Sequence, residues 1–163
     1  LRTKDMACAF PAAAFPSVDS TGGADAFIAA LASYLTEEMA NAVADGAKAA
    51  GAEAVLLTSG AFDASMTENY DAIAFGCPSM GAEELEEEEF APMFEACESR
   101  LEGKKIALFG SYGWGDGEWM RNWEDTCRSD GAVLVCDSVI CNDAPDEEAV
   151  AACKALGAAL AAA

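Results

Sequence analysis

Phe75-Gly-Cys-Pro-Ser-Met-Gly-Ala-Glu83 and Phe109-Gly-Ser-Tyr-Gly-Trp-Gly-Asp116 decide how this chain reads. Each closes a short, continuous apolar run, Ala72-Ile-Ala-Phe75 and Ile106-Ala-Leu-Phe109, of the kind found in strands buried on both faces of a parallel sheet. In such sheets ligands sit beyond the carboxyl ends of the strands, where these two loops begin. Small residues let backbone amides approach a ligand closely, and Met80, Tyr112 and Trp114 offer soft or π surfaces. The pair suits a flat aromatic ligand.

Working outward, helix and strand alternate from Thr36 onward, which predicts an open α/β sheet with right-handed crossovers. Thr36 to Ala50 carries Met39, Val43 and Ala47 at helical spacing and stops at Gly51; Ala54 to Leu57 is then a strand. Tyr70 to Gly76 and Lys104 to Gly110 form the two central strands, with a helix from Phe90 to Leu101 between them. Trp119 to Arg128 makes the next helix, and Trp119 and Trp123, four residues apart, share its core-facing side. Ala132 to Cys136 is a further strand. A last helix starts at Pro145, where Asp146, Glu147 and Glu148 suit the positive end of its dipole, and it runs into the alanine-rich tail.

A length of 163 residues, 53% of them apolar, predicts one domain with a real core. The formal charge of −20, from 9 basic and 29 acidic residues, opposes binding to nucleic acid or to anionic membranes and favours basic partner proteins. No apolar run reaches the roughly 18 residues of a membrane span, and residues 1 to 20 lack the apolar core of a signal peptide, so the cytoplasm is the default compartment. Seven cysteines with no Cys-x-x-Cys read as free thiols in a reducing compartment, mostly buried and inert, with Cys136 and Cys141 the pair to watch. The absence of histidine excludes Ser-His-Asp and Cys-His chemistry and the commonest transition-metal sites. Six of the seven residues from Glu83 to Glu89 are glutamates, read as a solvated acidic loop; without alternating ligand positions and a turn glycine, no metal site is expected there.

Taken together, the two loops resemble the isoalloxazine-binding loops of short-chain flavodoxins, and the resemblance runs from about Thr36 to the C-terminus. It implies a flavodoxin-like open parallel sheet with helices on both faces, and FMN as cofactor. Ser79, Met80, Gly81, Ala82 and Glu83 would then border the flavin N5 and pyrimidine edge. Ser111, Tyr112, Gly113, Trp114, Gly115 and Asp116 would hold the other side, with Trp114 stacked on the ring. In that family the peptide after the loop glycine, here Gly81-Ala82, reorients to hydrogen-bond the reduced N5, a flip that glycine makes easy. These residues bind and tune the cofactor; none is catalytic.

The same family opens with an apolar strand and a Ser/Thr-Gly-Thr-Gly-Asn-Thr phosphate loop ahead of its first helix. Here the segment before that helix reads Leu31-Ala-Ser-Tyr-Leu-Thr36, which leaves only Thr36 in register. Upstream, Phe15-Pro-Ser-Val-Asp-Ser-Thr-Gly-Gly-Ala-Asp-Ala-Phe27 resembles the C-terminal Asp-Thr-Thr-Gly-Ala-Gly-Asp signature of ribokinase-like (PfkB) sugar kinases, over roughly residues 1 to 36. That resemblance implies a glycine loop serving as an anion hole and an aspartate, Asp25, taking a proton from a sugar hydroxyl, although Asp25 reads better as a capping or turn residue. Ser20, Thr21, Gly22, Gly23 and Ala24, together with Thr36, are the candidate anion site, because amides ahead of a helix and the helix dipole attract phosphate.

Residues 1–35 are thus an atypical N-terminal segment joined to a flavodoxin-like domain over 36–163, the two forming one compact unit. Two routes stand open for the segment. Ala12 to Asp19 fills the vacant central strand position and Ser20 to Ala24 replaces the phosphate loop, or Asp25 to Ala50 forms one helix of about 39 Å. The second route exposes Phe27, Ile28 and Leu31 and favours a homodimer by strand exchange.

The leading expectation is an FMN-dependent one-electron carrier between redox proteins with basic surfaces, and not an enzyme. Ring burial and nearby carboxylates disfavour charge on fully reduced flavin, so a low second-electron potential is expected. The alternatives are a flavodoxin-like scaffold without tight FMN binding, acting as a binding module or an inactive recombined product, and, third, a fragment of a PfkB-type kinase.

Overall fold

Asp5-Met-Ala-Cys-Ala-Phe10, free of proline and apolar after its first residue, forms the strand that lies between Glu53–Thr58 and Ala72–Gly76 in this sheet. The computed structural model describes residues 5–10 and 34–163, with side chains from residue 36 onward. Its elements in chain order are β1 (Asp5–Phe10), α1 (Tyr34–Ala49), β2 (Glu53–Thr58), β3 (Ala72–Gly76), α2 (Phe90–Glu98), β4 (Lys105–Tyr112), α3 (Glu118–Ser129), β5 (Val133–Leu134), β6 (Val139–Asn142) and α4 (Glu147–Ala162). The strands run in the order β2-β1-β3-β4-β5, every pair parallel, with β6 also on β4.

The central position expected for Ala12 to Asp19 is therefore taken by Asp5–Phe10 instead. The physical reason is legible in hindsight. Pro16 interrupts Ala12 to Asp19 and has no amide to give a central ladder, whereas Met6 to Phe10 is unbroken and ends at Pro11. With the position filled within the chain, the vacant-strand motive for a homodimer disappears. The alternative long helix falls on residues 25–33, which lie outside the described residues, as do Phe27, Ile28 and Leu31.

Two further expectations need correction. The single strand predicted at Ala132 to Cys136 is instead β5 and β6 in succession along β4. From Ile106↔Leu134 to Phe109↔Val139 the partner advances five residues for three on β4, a bulge of even size that keeps each side chain on its own face. The helix after β3 ends at Glu98 rather than Leu101, where the amides of Arg100 and Leu101 turn back onto Cys97 and Glu98.

Each sheet face has its own packing chemistry. On one side Phe75 of β3 meets Phe94 of α2 edge-on at 5.3 Å, and Trp123 of α3 stands edge-on to Phe90 and Phe94 at 5.4 and 5.5 Å. Trp119 stacks on Trp123 at 6.2 Å, as their spacing on α3 predicts. Each such ring, wholly buried, contributes on the order of 1.5–3 kcal/mol. Across the sheet, α1 and α4 lie against each other through small residues. α1 ends as its sequence predicts, with Gly51 at φ +93 and the amides of Gly51 and Ala52 returning to the carbonyls of Lys48 and Ala47. α4 is capped by Asp146, whose carboxylate accepts from the amide of Ala149 at 2.8 Å.

The α1–α4 contact is set by two glycines. A Cβ on Gly46 would lie 1.9 Å from the carbonyl oxygen of Lys154, and one on Gly157 would lie 1.9 Å from that of Val43. Gly46→Ala or Gly157→Ala should therefore lower unfolding stability by about 1–3 kcal/mol or more in chemical denaturation. Gly60→Ala, with open space around it, should stay within about 0.5 kcal/mol of the parent.

Candidate functional site at the carboxyl edge of the sheet

Between β1 and β3 the winding of the sheet reverses, and the loops after β3 and β4 rise beside that point. The ladder of β3 and β4 continues into them: the amide of Cys77 donates to the carbonyl of Phe109 at 3.1 Å, and that of Ser79 to the carbonyl of Ser111 at 2.8 Å. Gly110 makes this approach feasible, since a Cβ there would lie 2.0 Å from the carbonyl oxygen of Cys77.

Beyond Ser79 the first loop doubles back. The backbones of Met80 and Glu84 exchange hydrogen bonds at 2.8 and 2.9 Å, leaving Gly81, Ala82 and Glu83 as a tight tip. Gly81 sits at φ +50, and Glu83, without a glycine's freedom, at φ +58. What holds Glu83 there is its own carboxylate. Its Oε1 accepts from the amides of Asp116, Gly117 and Glu118 at 3.2, 3.0 and 3.1 Å. Gly117, the residue capping α3, has no side chain to do this, so the first loop supplies the cap for the helix after the second. Gly115, at φ +94, leaves room for it; a Cβ there would lie 2.3 Å from the Glu83 carboxyl carbon.

The second loop is pinned on its outer side as well. Arg121 donates to the carbonyl and the carboxylate of Asp116 at 2.9 and 2.7 Å, and this bond, with the guanidinium charge, holds the Asp116 carboxyl below its ordinary range. The carbonyl of Tyr112 accepts from the amide of Asp143 at 2.9 Å and from the side chain of Asn142 at 3.0 Å. These two residues were missed in the sequence, although Asn142-Asp-Ala-Pro-Asp146 is a turn cluster of the kind that borders such sites.

The acidic run is not a simple solvated loop. Besides Glu83, Glu86 accepts from the amides of Glu88, Glu89 and Phe90 at 2.7, 3.0 and 2.9 Å and so caps α2. Burial disfavours its charge, yet the amides of Phe90, Glu88 and Glu89 outweigh burial and hold its pKa below the ordinary 4.5. Beneath the loop the buried Cys77 thiol donates to the carbonyl of Pro78 at 3.4 Å, and burial pushes its pKa far up. Cys141 donates to the sulfur of Met39 at 3.5 Å and is pushed up by burial to about 11, while burial raises Cys136 too. Both shifts favour the protonated thiol over the thiolate.

Two large apolar side chains remain open at this edge, Met80 at 48% and Trp114 at 62% exposure. The structure thus ties Ser79, Met80, Gly81, Ala82 and Glu83 to Ser111, Tyr112, Gly113, Trp114, Gly115 and Asp116 in one bonded assembly. Thr36, wholly buried in the first turn of α1, lies toward the same edge, because a helix joining parallel strands starts where the first strand ends. Ser20, Thr21, Gly22, Gly23, Ala24 and Asp25 lie outside the described residues.

A parallel sheet that reverses its winding beside two interlocked strand-end loops defines the doubly wound, ligand-binding class of α/β proteins. Residues 32–157 match the model of the Flavodoxin family, and the chain belongs to that family. It is 41% identical over 126 residues to the flavodoxin of Megasphaera elsdenii, a match covering 77% of this chain and 90% of the relative. It is likewise 41% identical over 112 residues to the flavodoxin of Clostridium beijerinckii, with 69% and 81% covered. The solution structure of two-electron reduced Megasphaera elsdenii flavodoxin matches with a TM-score of 0.77 at 39% identity, over 85% of this chain and 99% of that one. Flavodoxins are FMN-binding electron carriers that serve redox partner proteins, and are not catalysts. Among the described residues no helix is long and apolar enough to cross a membrane.

Removing the shared cap should loosen both loops together. Glu83→Ala is expected to cost about 1–2 kcal/mol of unfolding stability and to speed amide hydrogen exchange at Gly117 and Glu118. Glu86 should appear in the acid limb of stability. Its folded pKa is depressed, so its contribution is present above about pH 4.5 and is lost as pH falls through the folded value. Denaturation of Glu86→Gln below pH 4.5 should accordingly show a shallower loss with acidification than the parent does.

Proposed function

We propose that this chain holds FMN between the Met80 and Trp114 loops and passes single electrons between proteins with basic surfaces in the cytoplasm. The observation that carries this is the pre-tied pair of loops, which leaves a methionine and a tryptophan open at the reversal point of the sheet. Apolar surface exposed at such a place is the mark of a site awaiting a ligand. Glu83 belongs to the pyrimidine side of that site, and its bonds to the second loop keep the spacing between the two walls. The adjoining acidic residues, Glu84, Asp116 and Glu118, are exposed and would raise the energy of an anionic reduced ring, as well as steer basic partners at rates that fall with salt.

For the phosphate end the reading assigns Thr36, with Ser20 to Ala24, which lie outside the described residues, as the remaining candidates. Parallel titrations with FMN and with riboflavin, followed by quenching of flavin fluorescence, isolate that contribution. FMN should bind at least about tenfold more tightly than riboflavin, a difference of about 1.4 kcal/mol. Equal affinities would leave only the ring loops at work, and absence of binding to either would identify a scaffold without its cofactor. Trp114→Ala should weaken both ligands by roughly tenfold and leave their ratio unchanged.

A further inference from the structure

Beside the first of the two loops, α2 and α3 enclose a groove of about 300 Å³ whose floor the electron-carrier reading does not use. Its floor is aromatic, built from Phe94, Trp119 and Trp123, which are themselves core residues at 2–3% exposure. Its walls are acidic: Glu84 and Glu87 from the loop before α2, and Glu95 and Glu98 from α2 itself. No lysine or arginine lines it, and the opposite wall adds only the neutral Asn122 and Thr126 of α3. Glu98 feels this crowding, since burial first, and then Asp130 and Glu95, raise its pKa. Arg121 and Arg128 of α3, and Arg100 just past the end of α2, are engaged elsewhere, with Asp116, with Glu124 and Asp125, and with Glu68.

We infer that the α2–α3 groove is a docking site for a basic segment of a partner protein, which seats one large apolar side chain over the Phe94, Trp119 and Trp123 floor and pairs flanking lysines or arginines with Glu84, Glu87, Glu95 and Glu98. Charge complementarity selects this occupant. An acidic or neutral peptide would leave the carboxylates facing one another, and a second copy of this chain, at −20, would add to the repulsion. An apolar channel between two helices accepts a side chain from an amphipathic segment laid along it. Glu83, which caps α3 from the ring loop, also lines the groove, so a partner seated there lies beside the ring site. Only that last point rests on the electron-carrier reading; the groove and its charge stand without it.

The test uses the full chain, with a synthetic amphipathic lysine-leucine helix as probe and amide chemical shifts as the map. Shifts should concentrate at Ala91, Glu95, Asn122 and Thr126. The exposed pair Glu87→Lys/Glu95→Lys should weaken the probe at least about tenfold more than a pair with the same charge change away from the groove, Glu53→Lys/Glu147→Lys. Thr126→Trp, which fills the groove without changing charge, should weaken it as well. Equal weakening by both charge-reversed pairs, with shifts scattered over the surface, would overturn the proposal in favour of diffuse attraction. Shifts centred on Met80 and Trp114 would overturn it too. Because the probe carries no flavin and the readout needs none, loss of FMN binding would refute the carrier reading while leaving this result standing.

Discussion

Everything in this sheet depends on the ladders made by six residues. Among the described residues β2 is paired only with β1, and β1 in turn with β3, so Asp5–Phe10 is the strand whose ladders join β2 to the rest of the sheet. A strand in that place must be free of proline, and Met6-Ala-Cys-Ala-Phe10 is. The reversal of winding that creates the ligand edge exists because β1 lies between β2 and β3.

At that edge the loops are organised by borrowed caps. α3 begins at a glycine and α2 at a glutamate whose side chain makes no cap bond, so both helices take a carboxylate from the acidic run, Glu83 for one and Glu86 for the other. Each acid satisfies three amides that would otherwise meet solvent or a dry interior. The density of glutamates therefore has a structural use before any electrostatic one, and the turn at Gly81 to Glu83 is held in place from across the site.

Much of this was legible in the sequence, and the gaps have physical causes. Continuous apolar runs ending in glycine-rich loops located β3, β4 and the two strand-end loops, helical spacing located α1 and α3, and the start signal from Pro145 to Glu148 located α4. The central strand was sought in the wrong octapeptide, because a short alanine-rich run such as Met6 to Phe10 has no periodicity to separate it from helix. β6 was hidden by the bulge, which breaks one strand into two pieces each too short to register. The roles of Glu83 and Glu86 could not be read at all. Which amide a carboxylate meets is a matter of tertiary distance, and a run of glutamates looks the same whether solvated or capping.

The contact between α1 and α4 carries a consequence for how such a chain can drift. Where Gly46 faces the Lys154 carbonyl and Gly157 faces that of Val43, the helices touch backbone to backbone, and no side chain is available to yield. Replacement at either glycine finds no compensating change at a neighbour, because the obstacle is main chain that every amino acid shares. The aromatic face is different, since rings can be exchanged for one another as a set if total volume is kept. Variation among relatives built on this plan should therefore accumulate beneath α2 and α3 and be nearly silent along the seam of α1 and α4.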